Sequence, residues 1–138
     1  MRLALLVLSA CILSTSGAAA QGMPSGFQGS WKGTGSQSDQ PGVKWTIALT
    51  LGDGAPGEVV GTITYPSLQC GGDLILRGGD GRGVELLERI TFGECVDRGI
   101  VTIANARGGA EGRLSYSWRN DAGLEAHGLL QKAMPPVP

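Results

Sequence analysis

The sequence has little of what most enzymes and metalloproteins use. It contains a single histidine, His127, among 138 residues. A single histidine cannot build a metal site from several imidazoles, and it leaves only one residue that could act as the base of a Ser–His–Asp triad. No nucleophile beside a base, and no glycine-rich phosphate loop leading into a helix, is apparent along the chain. We expect a protein that is not an enzyme and that uses no metal and no cofactor.

An excess of one charge is also missing. The chain has 11 basic and 12 acidic side chains, a balance that offers no basic surface to nucleic acid or to an anionic membrane. The apolar run in residues 3–13 is too short for a membrane-spanning helix, which needs about 20 apolar residues. We therefore expect no nucleic-acid partner and no transmembrane segment.

The same apolar run follows Arg2 and precedes Ala18-Ala19-Ala20. A basic start, an apolar stretch and an Ala-x-Ala site are typical of a secretory signal peptide. We expect cleavage after residue 20 and a periplasmic or secreted protein. An alternative uses Leu8-Ser9-Ala10-Cys11, which is similar to a bacterial lipobox and would make Cys11 a lipid anchor.

Cysteine is almost absent from the rest of the chain, which keeps only Cys70 and Cys95. Two cysteines in an exported protein most often pair, because that environment is oxidising. The sequence predicts a Cys70–Cys95 disulfide. The alternative is a pair of free, buried thiols.

Glycine is plentiful, with 24 residues, and short apolar runs alternate with polar residues. Alternation with a period of two indicates strands, and glycine-rich turns favour short hairpins over long helices. We predict one all-β domain over 21–132, followed by a proline-rich tail at 133–138. Its fold would be an eight-stranded antiparallel meander closing as a small barrel, with a β-sandwich as the alternative. The predicted strands are 28–35, 43–51, 58–65, 73–77, 83–92, 99–105, 113–119 and 124–132.

Alternate loops of such a meander lie at the same end of the barrel. One end collects glycine-rich hairpins, and the other collects loops with longer polar side chains, which makes the second end the predicted binding rim. The hairpins are 52–57, 78–83 and 107–111, and the polar loops are 36–42, 66–72, 93–98 and 119–123. Cys70 and Cys95 both fall on the polar rim, so the topology and the expected disulfide agree.

Glu88 is in phase with Leu86 and Ile90 on its predicted strand, and an inward strand face would bury it. A buried carboxylate needs hydrogen-bond donors or a raised pKa. Donors could be a tryptophan, a tyrosine or an arginine, or the amine or hydroxyl of a ligand. If Leu87 faces inward instead, Glu88 is a surface charge.

Aromatic side chains are few, but most of them can share the face of Glu88. In a barrel mouth they would stack a planar or sugar-like ligand, and otherwise they fill the core. Phe92 is expected on this face too. The candidate ligand-binding residues are Trp31, Trp45, Tyr65, Glu88, Tyr116 and Trp118.

Two stretches resemble known families. Gly29-Ser30-Trp31 is similar to the start of lipocalin and avidin-like barrels, in which the tryptophan helps to close one end. A longer pattern resembles small extracytoplasmic modules of bacterial envelope proteins, including some receptor-type Ser/Thr kinase ectodomains. It consists of Trp31-x-Gly33, Gly61-Thr62-Ile63-x-Tyr65-Pro66-Ser67-Leu68-x-Cys70-Gly71-Gly72, Glu88-Arg89-Ile90-Thr91, Cys95 and Gly99.

These features predict an exported, non-enzymatic module that binds a small molecule or a protein at the polar rim. One alternative is an inhibitor of an exported hydrolase acting through a protruding rim loop, which a barrel without a cavity would favour. Another is a passive envelope protein or lipoprotein.

Overall fold

The computed structural model describes residues 21–106 and 112–133. The predicted signal peptide with Cys11, the hairpin at 107–111 and residues 134–138 of the tail lie outside the described residues.

In this part of the chain eight strands follow one another, each antiparallel to its neighbours, and β1 pairs with β8 as well as with β2. The barrel is therefore closed, which confirms the predicted all-β eight-stranded meander and excludes the sandwich. Two short 3-10 helices, Ser25–Phe27 and Pro66–Leu68, accompany the strands. The strands are β1 (Gly29–Gln37), β2 (Lys44–Leu51), β3 (Val59–Tyr65), β4 (Cys70–Gly79), β5 (Gly83–Phe92), β6 (Ile100–Asn105), β7 (Arg113–Arg119) and β8 (Glu125–Lys132).

The interior is filled by alternate residues of each strand. On β2, Trp45, Ile47 and Leu49 are buried, while the residues between them face outward. On β7 the buried positions are Tyr116 and Trp118, together with Leu114. This period of two is the geometry of any strand whose one side faces a core, and it agrees with the sequence pattern.

The two ends of the barrel differ. One end is the predicted polar rim, and it is called the disulfide rim from here on. It is formed by loops 38–43, 66–69, 93–99 and 120–124. The other, called the capped rim, receives the segment before β1. There Phe27 is buried, its carbonyl accepts a hydrogen bond of 2.9 Å from the Trp31 indole, and the Met23 amide donates to the Gly54 carbonyl at 3.0 Å. The segment closes that end of the barrel.

Strand β4 begins earlier than predicted. Residues 70–72 were expected in a loop, because Cys70-Gly71-Gly72 follows Pro66 and glycine pairs favour turns. In the structure they pair with β3 and β5. A side chain at Gly72 would collide with the Arg89 carbonyl at 1.9 Å, so the glycine permits a close approach of two strands here.

The prediction that Phe92 faces inward is wrong, since half of its surface is exposed. The register shifts between Gly71 and Gly72, where Gly71 pairs with Phe92 and Gly72 pairs with Ile90. An extra residue in one strand reverses the alternation beyond it. Phe92 therefore lies on the outside, against Gly71.

The Cys70–Cys95 disulfide is confirmed. It joins the first residue of β4 to loop 93–99, with the two Cα atoms 5.8 Å apart, a usual separation for such a bond. The Tyr65–Pro66 peptide bond is trans, as are the others in the described residues.

Removal of the disulfide should destabilise the fold. The bond closes a loop of 25 residues, and restriction of the unfolded chain by such a loop contributes roughly 3 kcal/mol. We expect the Cys70→Ala/Cys95→Ala double variant to show a free energy of unfolding lower by about this amount in urea titrations. An unchanged midpoint and slope would contradict the prediction.

Candidate functional site

A cleft of about 150 Å³ lies inside the barrel at the disulfide rim. A cavity of roughly this volume holds a benzene-sized molecule. The described residues that line it come from β1, β2, β3, β5, β7, β8 and two rim loops. They are Gln37, Trp45, Tyr65, Leu68, Glu88, Cys95, Val96, Tyr116, Trp118 and Ala126.

Glu88 is part of the cleft and is only 1% exposed. It follows Val84 and Leu86 on the inward face of β5, as the sequence predicts, and Leu87 lies on the other face. The backbone is held in place as well, because the Glu88 amide donates to the Gly99 carbonyl at 2.9 Å and the Glu88 carbonyl accepts from the Arg98 amide at 3.1 Å.

The Glu88 carboxylate receives two side-chain hydrogen bonds. The Tyr65 hydroxyl donates to one oxygen at 2.5 Å, and the Trp118 indole N–H donates to the other at 3.1 Å. The Tyr65 and Tyr116 hydroxyls are 2.7 Å apart. Because the single proton of Tyr65 is directed to Glu88, Tyr116 is the donor in that contact. Protons therefore point along a chain from Tyr116 to Tyr65 to Glu88.

Burial raises the pKa of Glu88 above its ordinary value of 4.5, and the hydrogen bonds from Tyr65 and Trp118 offset that rise only in part. The nearby Asp97 carboxylate raises the pKa of Glu88 further. Burial also raises the pKa of Tyr65 and of Tyr116, so both phenols keep their protons at neutral pH.

The Glu88 carboxylate forms no ion pair with another of the described residues. In the described residues the arginine ion pairs are Arg77–Glu85, Arg119–Glu85 and Arg89–Asp73, all with substantially exposed side chains. None of these pairs includes Glu88. The partners of the buried carboxylate are thus neutral donors.

Trp45 forms a wall of the cleft. Its ring lies 5.3 Å from the Tyr65 ring at an interplanar angle of 87°, and 6.2 Å from the Tyr116 ring at 85°. Both are edge-to-face contacts, which aromatic pairs favour. The cleft is consequently bounded by aromatic faces in two nearly perpendicular orientations.

Two glycines make room for the tryptophans. Gly35 on β1 pairs with Trp45 on β2, and a Cβ at Gly35 would lie 2.8 Å from the indole. A Cβ at Gly99 would lie 1.9 Å from the Trp118 indole nitrogen. Each tryptophan therefore packs against bare backbone, and any larger residue would displace it.

The mouth of the cleft is apolar. Leu68 and Val96, which line it, are about half exposed. The disulfide at Cys95 holds loop 93–99, which carries Val96, in place. Val43 in loop 38–43 and Phe92 at the end of β5 are similarly exposed on the same rim.

The structure brings five of the six candidate residues together: Trp45, Tyr65, Glu88, Tyr116 and Trp118 all line the cleft. Trp31 lies at the capped rim, where it bonds to Phe27 and where Lys132 Nζ is 5.4 Å from its ring centre. Alternation alone could not separate these positions, because an inward residue at either end has the same phase.

Sequence reasoning missed Gly35, Gly99 and Gln37 as site residues. The glycines had a detectable signal, since each is in phase with the inward residues of its predicted strand, 28–35 or 99–105. Gln37 had none, because the predicted first strand ended at residue 35.

No family model, curated protein or solved structure matches the chain. Residues 21–106 and 112–133 contain no helix long and apolar enough to cross a membrane. In the same residues, no group of three or more His, Cys, Asp or Glu side chains is arranged to hold a metal ion.

Substitution of Gly99 should disturb the site. We expect Gly99→Ala to push the Trp118 indole away from Glu88 and to lower the free energy of unfolding by roughly 1–3 kcal/mol, the usual effect of overpacking. Urea denaturation and near-ultraviolet circular dichroism would measure both effects. Gly81→Ala is the control, because a Cβ at Gly81 meets open space. Equal stability and equal near-ultraviolet spectra of the two variants would contradict the close packing of Trp118 against Gly99.

Glu88 should also make stability depend on pH. Because its pKa is higher in the folded than in the unfolded protein, its contribution is present at low pH and is lost as the pH rises through the folded value. We therefore expect the Tm of Glu88→Gln, measured relative to the Tm of the wild type, to rise between about pH 4 and about pH 8. Glu94→Gln, which removes an exposed carboxylate, should follow the wild type; a parallel course for Glu88→Gln would be inconsistent with the raised pKa.

Proposed function

We propose that the protein is an exported, non-enzymatic binding protein that takes a small organic molecule into the cleft at the disulfide rim. The observation that supports this most is the cleft itself, an aromatic-walled opening with a hydrogen-bonded polar floor. Small-molecule sites in proteins have this composition of apolar walls and a few placed polar groups.

Rigidity of the site favours binding. Trp45, Tyr65 and Glu88 belong to barrel strands, and their rings or oxygens are held by the contacts described above. The disulfide fixes Cys95 at the mouth. A site that is already ordered avoids the entropy cost of ordering side chains when the ligand arrives.

The size of the cleft limits the ligand. A volume of about 150 Å³ accommodates one ring or a small branched group and is smaller than the roughly 300–1,000 Å³ of sites for drug-sized ligands. Any larger part of the ligand would extend past Leu68 and Val96, whose exposed apolar surfaces suit an apolar continuation.

Export is supported by the disulfide together with the signal-like residues 1–20. Disulfides persist in oxidising compartments such as the periplasm or the exterior, and Cys70–Cys95 is one. We place the protein in one of these two locations. The small extracytoplasmic modules that the sequence resembles would share this setting.

Binding is preferred to catalysis because the donor protons on the floor of the cleft are engaged within the floor itself. The Tyr65 and Tyr116 protons and the Trp118 N–H are directed toward Glu88, so none is oriented at a reacting atom. A general acid must be able to direct its proton at the group that it protonates.

A protein partner is the second candidate, as an inhibitor of an exported hydrolase would have. Four of the six exposed large hydrophobic side chains, Val43, Leu68, Phe92 and Val96, lie on the disulfide rim in the described residues. Clustered exposed apolar residues favour contact with another molecule. Such an inhibitor would need the rim loops but not the floor of the cleft.

Binding of small fragments tests the main proposal. We expect single-ring compounds to change the tryptophan fluorescence of the wild type and Trp45→Leu, which removes an aromatic wall, to weaken binding about tenfold, a loss of about 1.4 kcal/mol. Trp31→Phe at the capped rim should bind as the wild type does. If no fragment in a broad set binds, or if Trp45→Leu binds equally well, the proposal fails. Inhibition of an exported hydrolase that depends on Leu68 and Val96 but not on Trp45 would favour the second candidate.

A further inference from the structure

The direction of the hydrogen bonds limits what the cleft can bind. Tyr65 has one hydroxyl proton, and Glu88 accepts it. The Tyr116 proton goes to the Tyr65 oxygen, and the Trp118 N–H goes to Glu88. The protons of these three side chains are thus already used. What the floor still offers a ligand is oxygen lone pairs and aromatic faces.

Acceptor capacity remains on at least two groups. A carboxylate has about four lone-pair positions, and the Glu88 side chain uses two of them in the described residues. Tyr116, as the donor in its contact with Tyr65, keeps the lone pairs of its own oxygen. A ligand that donates hydrogen bonds would complete this arrangement, whereas a carboxylate or phosphate group would meet acceptors and negative charge.

The charge around the cleft has the same preference. Glu88 has neutral partners, and Asp97 in loop 93–99 adds a second carboxylate close enough to affect it. The Asp97 Oδ1 atom accepts from the Ile90 and Arg98 backbone amides, at 2.8 Å each. Within the described residues no ion pair involves either carboxylate. A positive charge inside the cleft would therefore be attracted by both.

The aromatic walls suit a cation as well. A cation is attracted to the face of an aromatic ring, and rings in several orientations around an ammonium group form the cages that bind quaternary ammonium ligands. Trp45 stands nearly perpendicular to both Tyr65 and Tyr116. Trp118 lines the cleft beside them. These rings, with Glu88 among them, match the parts of such a cage.

We infer that the ligand of this cleft is an organic cation whose substituted ammonium group lies against Glu88 and the surrounding aromatic rings. The inference rests on the proposed small-molecule binding and specifies its chemical class. An apolar substituent on the nitrogen would extend toward Leu68 and Val96 at the mouth. Gln37, the lining amide, is available for a hydroxyl or carbonyl on the ligand.

A proton competes with this cation. As the pH falls, Glu88 becomes protonated and loses the charge that attracts the ligand. The titratable groups that face Glu88 are Tyr65 and Tyr116, which stay neutral, and Asp97 in loop 93–99. A ligand with a permanent charge should thus bind more weakly at low pH because of the protein and not because of its own titration.

Matched pairs of compounds test the inference. Choline and its uncharged carbon isostere, 3,3-dimethylbutan-1-ol, have the same shape, and benzylammonium and benzyl alcohol form a second pair. Titration calorimetry or tryptophan fluorescence at about pH 8 should give at least about tenfold tighter binding of each cation than of its neutral partner. Lowering the pH should weaken choline binding and leave its neutral isostere unaffected.

Two variants identify the residue responsible. Glu88→Gln should reduce the preference for the cation to within about twofold while neutral partners still bind. Glu94→Gln removes the same charge from an exposed position on the same rim and should keep the preference. Should Glu88→Gln fail to fold, the pH series on the wild type with choline still decides the matter.

The outcomes separate the two proposals. Neutral partners or anionic fragments binding as tightly as the cations would overturn the cation assignment and leave small-molecule binding in place. A cation preference retained in Glu88→Gln would also overturn the assignment. If neither these compounds nor any other fragment binds, small-molecule binding itself is refuted, and the cation assignment with it.

Discussion

The pairing of β1 with β8 closes the sheet and imposes the constraint on which the rest of the molecule depends. In a closed wall every strand has one face turned toward the interior, so most alternate residues must be compatible with a core. For β5 this places Glu88 in the same row as Val84 and Leu86. A carboxylate in that row has no outward rotation that would return it to water, so its neighbours must satisfy it.

The hydrogen-bond donors to the Glu88 carboxylate are neutral groups, and their rings also determine the form of the cleft. An arginine would have neutralised Glu88 and filled the space with a long side chain. Tyr65 and Trp118 supply hydrogen bonds while their rings also form apolar surface. The same two residues therefore stabilise a buried acid and line a cleft beside it. The small size of Gly35 and Gly99 then allows the indoles of Trp45 and Trp118 to lie close to the backbone.

Much of this arrangement could be predicted from the sequence, because it follows from periodicity. Alternation identified the strands and placed Glu88 with the inward residues of β5, and the two cysteines fell on loops of one rim. The position of Phe92 could not be predicted, since a bulge opposite Gly71 and Gly72 reverses the alternation, and bulges leave little trace in the pattern. Alternation also did not separate Trp31, which lies at the capped rim, from the residues of the cleft, because an inward residue at either end has the same phase. The directions of the hydrogen bonds required knowledge of which hydroxyl meets which oxygen.

The disulfide determines how the entrance of the cleft is held. Cys95 lies at the mouth of the cleft, and its covalent partner is the first residue of β4. In a chain with two free thiols, loop 93–99 lacks the covalent tether that holds it at the entrance of the cleft. Formation of the disulfide therefore fixes one side of the entrance, whereas the barrel strands are held to one another by the pairing of their backbones.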